Sequence, residues 1–293
     1  MSQPDQRDGG AGGGGGWSDL GLRVASASVL VPAALAITYA GGWLFVALCM
    51  LAAGGILWEW TALVSYRADP RILSPGWAAL LIAAGLIGLD YPYAAFGMPL
   101  LGAFCGGLAV LALSPGGGKP SEVTWAAGGI IYAGASLVGP ALLRRDPELG
   151  LTALLFLFAT VWTTDIFAFF CGRILGGPAL WRRVSPHKTW SGAIGGLAGG
   201  VAGGVMVAYA NGFAKLGTIG AMALLLSVLA QAGDLFESAV KRNFGAKDAG
   251  RLIPGHGGLM DRLDGFLVAA LAALLIGILR QGAGSPARGL LVW

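Results

Sequence analysis

The densest group of chemically active side chains lies between Gly233 and Gly265, in a chain that is otherwise mostly apolar. Carboxylates are ligands for hard metal ions, and lysine and arginine side chains hold phosphate groups. The charged residues and the histidine that point to this chemistry are Asp234, Lys241, Arg242, Lys247, Asp248, Arg251, His256, Asp261, Arg262 and Asp264. Together they predict a site for a metal ion and the phosphates of a nucleotide.

Asp261 and Asp264 lie three residues apart where the last apolar span begins, so on a helix they share one face. With Asp234 from the end of the preceding span, they would form an all-oxygen cluster suited to Mg²⁺ and substrate phosphates. The segment has no cysteine and a single histidine, which argues against zinc. The alternative is that two acids at a helix start only cap it and offset its dipole.

A glycine-rich loop precedes this pair, with Pro254, Gly255, Gly257 and Gly258 around His256. Its backbone can approach a phosphate without obstruction by side chains. We interpret His256 as a phosphate contact, with general acid–base catalysis and fixing of the loop as alternatives. The basic residues expected to act as charge clamps are Lys241, Arg242, Lys247 and Arg251.

A second polar stretch, WRRVSPHKTWSG, stands just before a later apolar span. Taken alone, its basic residues indicate contact with anionic lipid headgroups at the membrane surface. Its polar side chains are Arg182, Arg183, Ser185, His187, Lys188 and Thr189.

Three acids fall within or at the end of apolar spans, where a charge costs about 2.5 to 3.5 kcal/mol on insertion scales. Asp165 lies well inside one span and Asp234 closes another, so both are expected to face a polar cavity. For Asp165 the alternative is a structural pairing with Arg173 or a backbone group. Glu59 stands near the end of its span between two tryptophans, and we interpret it as a residue that reaches the membrane interface.

The composition, 56% apolar and 12% charged, is far from the roughly 25% charged residues of soluble domains. Apolar runs of about 20 residues cross a bilayer as helices. We therefore predict an all-α, polytopic integral membrane protein with about nine transmembrane helices. The expected spans are 22–40, 43–64, 75–90, 93–113, 122–142, 150–172, 192–211, 213–232 and 264–280. Because the third is short and nearly touches the fourth, an eight-helix alternative stays open.

The chain divides into a glycine-rich tail at 1–16, expected to be disordered, N-terminal helices at 17–149 and a catalytic region at 150–293. The N-terminal helices are interpreted as scaffold, with a lipid groove as the alternative. Polar loops are expected at 173–191 and 233–265. In the seventh span a glycine recurs every four residues, which predicts close helix packing within the chain or between subunits. These glycines are Gly196, Gly200 and Gly204.

Placing nine helices alternately across the membrane puts fourteen lysines and arginines on one side and five on the other. The positive-inside tendency makes the richer side cytoplasmic. Nine of the fourteen belong to the two polar loops, so the orientation rests partly on function, because nucleoside triphosphates are available in the cytosol.

The polar segment also resembles the hallmark of the phosphatidate cytidylyltransferase, or CDP-diacylglycerol synthase, family. The pattern is S-x-x-K-R, then K-D-x-G, then P-G-H-G-G-x-x-D-R-x-D. It is carried by Ser238, Lys241, Arg242, Lys247, Asp248, Gly250, Pro254, Gly255, His256, Gly257, Gly258, Asp261, Arg262 and Asp264.

Two upstream blocks extend the resemblance, so that it covers roughly the last 130 residues. Residues 185–190 resemble the family's S-P-x-K-T-W element, and Asp165 with Gly172 resembles its D-x-x-A-[YF]-x-x-G segment. Two departures are visible: Ser191 stands where glutamate is common, and Gly265 where serine is common. The first puts in doubt any role of a carboxylate at that position.

The resemblance implies that CTP and phosphatidic acid give CDP-diacylglycerol and pyrophosphate in phospholipid synthesis, with Mg²⁺ required and a monovalent cation such as K⁺ compatible with the site. It further implies a homodimer in the inner (cytoplasmic) membrane, with the active site facing the cytoplasm and no nucleic-acid partner. The expected catalytic residues are Lys188, Lys241, Arg242, Asp261, Arg262 and Asp264. The expected metal ligands are Asp234, Asp261 and Asp264. The expected substrate-binding residues are Ser185, Thr189, Ser238, Lys247, Asp248, Arg251, His256, Gly257, Gly258 and Asp165.

Two other functions stay open. A CTP-dependent polyprenol or phytol kinase would use the same triphosphate chemistry but release CDP. A transporter would also bury acids, although its polar residues should be spread through several helices. A CDP-alcohol phosphotransferase is disfavoured, because its D-G-x-x-A-R pattern is missing after Asp264.

Overall fold

The computed structural model describes residues 15–65, 68–115, 117–250, 252 and 257–293, with side chains from residue 28 onward. Within these ranges the chain forms ten helices and two short strands. In chain order they are α1 (Gly15–Ala40), α2 (Gly42–Ser65), α3 (Pro70–Gly88), α4 (Pro92–Leu113), α5 (Pro120–Arg144), α6 (Gly150–Leu175), β1 (Ala179–Trp181), β2 (Ser185–Thr189), α7 (Trp190–Ala210), α8 (Leu216–Asn243), α9 (Met260–Gln281) and α10 (Pro286–Leu291).

Eight of the described helices, α2 to α9, are long and apolar enough to cross a membrane. This confirms a polytopic membrane protein that is almost entirely helical. The further expected span at 22–40 falls in α1, whose side chains are described only from Ser28, so the ninth crossing stays a prediction. Of the predicted tail at 1–16, residues 1–14 lie outside the described residues, and α1 begins at Gly15.

Proline marks the start of four helices. A proline at the first helical position loses nothing, because its missing N–H would have no partner within the helix. In α3 the preceding residue, Asp69, also accepts a hydrogen bond from Arg71 N at 2.9 Å and so caps the helix. The four prolines are Pro70, Pro92, Pro120 and Pro286.

Helix α5 forms the centre of the bundle. In its membrane-spanning part 78% of the residues are buried, against 33 to 50% in the other seven helices, and it contacts α2, α3, α4, α6 and α9. Ile130, Leu137 and Leu142 are among the largest fully buried side chains. The N-terminal helices therefore form the wall against which α9 packs.

The glycine face of α7 packs inside the chain, against α6 and α8. A Cβ atom at Gly200 would collide with Thr164 Oγ1 and lie 2.8 Å from Ser227 Oγ. At Gly204 it would lie 2.7 Å from Ala223 Cβ. These contacts favour the intramolecular interpretation of the repeat, because the space that a subunit would need is filled by the chain itself.

Both expected polar loops are shorter than the sequence predicted. Helix α8 continues to Asn243, eleven residues beyond the expected end of that span, and α9 begins at Met260 instead of residue 264. The first charge was taken as the end of each apolar run, but a helix needs only one apolar face to continue. In the first loop, α6 extends to Leu175, and β1 and β2 form an antiparallel ribbon, so the fold is not purely α.

We expect Gly200→Ala to lower the apparent melting temperature in detergent, because overpacking a filled contact costs about 1 to 3 kcal/mol. The matched control is Gly217→Ala on α8, where a Cβ atom meets nothing within 4 Å. Alanine has the higher helix propensity, so the control should keep or raise the melting temperature. Equal melting temperatures for the two variants would contradict the packing described for α7.

Candidate active site

A polar cavity of about 720 Å³ lies between α6, the β1–β2 ribbon, α7, α8 and α9. Asp165 and Asp234 both line it, as expected from their depth in the sequence. The cavity gathers five acids and four basic residues. They are Asp165, Arg173, Lys188, Asp234, Glu237, Lys241, Asp261, Arg262 and Asp264. Among the described ion pairs, Asp165 and Arg173 do not form one.

Lys241 forms two ion pairs, one within α8 and one that connects α8 to α9. Its Nζ lies 2.7 Å from Glu237 Oε2 and 2.6 Å from Asp261 Oδ1. The Glu237 side chain is 1% exposed, and those of Lys241 and Asp261 are 12% exposed. Glu237 and Lys241 stand four residues apart, so they share one face of α8. Because an unpaired buried charge is costly, these ion pairs allow Glu237, Lys241 and Asp261 to stay charged inside the protein.

Backbone amides fix the carboxylate of Asp261. Its Oδ2 accepts hydrogen bonds from Ala249 N and Gly258 N, each at 3.1 Å. A Cβ atom at position 258 would lie 2.7 Å from that oxygen, so only glycine allows this approach. Gly258 therefore lets the loop backbone approach the Asp261 carboxylate, whereas the sequence predicted an approach to a phosphate.

Asp234, Glu237 and Asp264 bring three carboxylate oxygens within 4.8 Å of one another. At that separation each ionised pair repels by about 3.5 kcal/mol for an effective dielectric constant near 20. Among the described residues neither Glu237 oxygen has a hydrogen-bond partner of good geometry, although Lys241 Nζ forms an ion pair with Oε2. A hard divalent cation fits this set of oxygens, because it supplies the missing positive charge.

Asp261 is not a member of this carboxylate trio, because it is turned toward Lys241 and the backbone amides. Its assignment as a metal ligand stays a prediction. Glu237 takes the third place in the trio, and sequence analysis missed it because α8 was expected to end before it. Its spacing, three residues after Asp234 and four before Lys241, would have revealed it on a longer helix.

The β1–β2 ribbon positions Lys188, whose Nζ forms an ion pair with Asp234 Oδ2. The ribbon pairs Ala179 with Thr189. Thr189 caps α7 by accepting a hydrogen bond from Gly192 N at 3.1 Å. Ser191, the departure from the family pattern, donates a hydrogen bond to the carbonyl oxygen of residue 176 and so ties α7 to the end of α6.

Other predicted residues are distributed unevenly. Thr189 and Arg262 line the cavity, whereas Arg242 is exposed and donates a hydrogen bond to Ala246 O at 3.0 Å. Arg251 and His256 lie outside the described residues. The remaining predicted residues are described but do not line the cavity, so their roles stay predictions. They are Ser185, Ser238, Lys247, Asp248, Gly257 and Gly258.

The fold and the cavity together define a membrane enzyme for charged substrates: acids and lysines converge at one end of a helical bundle. A sequence model of the cytidylyltransferase family matches residues 21–279. The chain is 44% identical over 260 residues to the phosphatidate cytidylyltransferase of Brucella abortus biovar 1 (strain 9-941), covering 89% of this chain and 94% of that one. The chain belongs to the cytidylyltransferase family.

Other relatives match about half of the chain. The phosphatidate cytidylyltransferase of Staphylococcus saprophyticus is 40% identical over 139 residues, which are 47% of this chain and 52% of that one. A protein of the same name from Staphylococcus haemolyticus is 42% identical over 139 residues, with the same coverage of both chains.

We expect Lys241→Met to lower the apparent melting temperature strongly, because removing one partner of a buried ion pair costs about 3 to 5 kcal/mol. Adding Glu237→Gln should recover part of the loss, since one unpaired charge is then removed. Lys215→Met is the control, because Lys215 is exposed at the start of α8. Additive losses in the double variant would contradict a direct Lys241–Glu237 interaction.

Proposed function

We propose that this chain is a phosphatidate cytidylyltransferase, which transfers CMP from CTP to phosphatidic acid and releases pyrophosphate. The observation that carries the proposal is the cavity in which α8 and α9 place Asp234, Glu237 and Asp264 beside Lys188 and Lys241. Family membership supports the same reaction. The concentration of charge in a single cavity, shown by the described residues, disfavours a transporter.

The chemistry requires little acid–base catalysis. A phosphate oxygen of phosphatidic acid attacks the α-phosphorus of CTP, a new P–O bond forms, and the bond to the bridging oxygen between the α- and β-phosphates breaks. Pyrophosphate leaves with that electron pair. Both reactants are anions, so the protein must above all offset their repulsion and align them.

The basic residues of the cavity perform this task. Lys188, on the ribbon, and Lys241, on α8, approach from different elements and are already paired with Asp234 and Asp261. When phosphates bind, each ammonium group pairs with phosphate oxygens, either in place of its carboxylate partner or together with it. Arg262, one residue after Asp261, and Arg173, on α6, bring the basic side chains of the lining to four among the described residues.

Mg²⁺ is the proposed cofactor, held by Asp234, Glu237 and Asp264, with Asp261 as the further ligand that the sequence predicted. When bound, it neutralises charge on the triphosphate and stabilises the pyrophosphate that leaves. The close approach of the three carboxylates supports this assignment, as does the lack of a hydrogen-bond partner of good geometry for either Glu237 oxygen among the described residues. The resemblance adds a monovalent cation such as K⁺, for which no residue is assigned.

We expect Asp264→Asn to reduce turnover by about 10³-fold or more. The substitution would weaken the binding of Mg²⁺, which stabilises negative charge in the transition state. The purified protein is incubated in detergent with phosphatidic acid, labelled CTP and Mg²⁺, and CDP-diacylglycerol and pyrophosphate are measured together. The control is Asp90→Asn, which lies in another part of the chain as an exposed partner of Arg145. Its positive φ of 71° is one that asparagine tolerates.

Each outcome of this assay decides between functions. Equal amounts of both products, lost in Asp264→Asn and kept in Asp90→Asn, support the proposal. CDP together with a phosphorylated polyprenol would instead establish the kinase. Normal turnover by Asp264→Asn would exclude a catalytic role for this residue. Absence of turnover with any lipid would favour transport.

We further propose that the protein is a homodimer in the inner (cytoplasmic) membrane, with the cavity facing the cytoplasm. The family resemblance supports the dimer. The orientation is supported by the location of CTP in the cytosol and by the lysines and arginines near the ribbon and the α8–α9 connection.

The orientation predicts the labelling of single cysteines by a membrane-impermeant maleimide. After replacement of Cys49, Cys105 and Cys171, Lys247→Cys should react in inverted membrane vesicles but not in intact spheroplasts. Lys215→Cys, at the opposite end of α8, should react in spheroplasts. The reversed pattern would place the cavity on the outer side.

A further inference from the structure

Glu59 is buried within the protein against the start of α9, whereas the sequence-based interpretation had its side chain reach the membrane interface. Its residue is 2% exposed. Oε1 accepts a hydrogen bond from Leu259 N at 3.0 Å, and Oε2 accepts one from Met260 N at 2.8 Å. A carboxylate on α2 therefore binds the backbone of a helix that begins 201 residues later.

These hydrogen bonds supply what the sequence of α9 lacks. The first N–H groups of a helix have no partner inside it and need an acceptor. The residue at the N-cap of α9 is Leu259, which makes no side-chain cap hydrogen bond. A carboxylate at this end also interacts favourably with the helix dipole. Glu59 therefore caps α9 from a different transmembrane helix.

Two glycines enclose the Glu59 carboxylate. A Cβ atom at Gly250 would collide with Oε1, and one at Gly258 would lie 3.0 Å from Oε2. The backbone beside these glycines also binds Asp261, because Ala249 N and Gly258 N donate hydrogen bonds to its carboxylate. Glu59 and Asp261 thus accept hydrogen bonds from three consecutive N–H groups, those of Gly258, Leu259 and Met260.

We infer that Glu59 is a positioning residue for the carboxylates of α9. By fixing the first turn of that helix, it sets the places of Asp261 and Asp264, and through Asp261 that of Lys241. Glu59 is not among the described residues that line the cavity, so we assign it no contact with substrate. This inference rests on the proposed function, because it assigns Glu59 a task in the same site.

Two substitutions separate positioning from mere filling of space. Glu59→Gln keeps the size but turns an NH₂ group toward one of the two backbone donors, and Glu59→Ala removes both acceptors. Since a misplacement of about 1 Å costs on the order of 100-fold, we expect kcat to fall about 100-fold for alanine and about 10-fold for glutamine. KM for both substrates should change less than about twofold, because the lost alignment acts on the transition state.

The second readout does not depend on catalysis. In metal-free protein, hydrogen–deuterium exchange at Leu259 and Met260 should accelerate in both variants, while exchange in α5 stays unchanged. Glu148→Gln is the matched control, because Glu148 is an exposed carboxylate near the opposite end of the bundle. It should match the original protein in kcat, KM and exchange.

The outcomes are separable from those of the proposed function. Lower kcat, constant KM and faster local exchange in Glu59→Gln support the inference. Normal kcat, or unchanged exchange at Leu259 and Met260, overturns it, as does a loss explained wholly by less folded protein. If Glu59→Ala does not fold, Glu59→Gln decides. If the original protein forms no CDP-diacylglycerol, the proposed function fails, whereas the exchange comparison still shows whether Glu59 caps α9.

Discussion

The ion pairs of Lys241 with Glu237 and Asp261 are the interaction on which the rest of the site depends. Charges placed on membrane-spanning helices are costly unless they are paired or face a polar cavity. Lys241 satisfies two carboxylates at once and joins α8 to α9 where their polar faces meet. The trio of Asp234, Glu237 and Asp264 can then remain crowded, because part of its charge is balanced within the protein.

Close packing of α6, α7 and α8 holds the trio of Asp234, Glu237 and Asp264 in place. The glycines of α7 let α6 and α8 approach until Thr164 and Ser227 form a buried hydrogen bond of 2.7 Å. One turn nearer the cavity, Gln231 donates a hydrogen bond to Ala193 O at 3.2 Å. These two hydrogen bonds join α6 to α8 and α8 to α7 beside the cavity, so the helices that carry Asp165 and Asp234 are held in close contact.

The sequence predicted those features that depend on composition and on neighbours along the chain. Apolar runs predicted the helices, acids within those runs predicted that Asp165 and Asp234 face a polar cavity, and the family resemblance added Lys188 to the site. The extension of α8 was missed because a charged residue was taken as the end of a span. Glu59 was misinterpreted because its partners lie about 200 residues away, and such pairing leaves no local signal.

The N-terminal helices contribute to the site more directly than a passive scaffold. Trp60, next to Glu59 on α2, lies 5.3 Å from the Tyr132 ring of α5 and stacks on Phe236 of α8 at 6.4 Å. This aromatic group contacts α8 through Phe236, while Glu59 holds the start of α9. Because α2 and α5 contact both helices that carry the acids, the geometry of the acids depends on residues far away along the chain. A C-terminal half alone would retain the residues of the site but not the supports that align them.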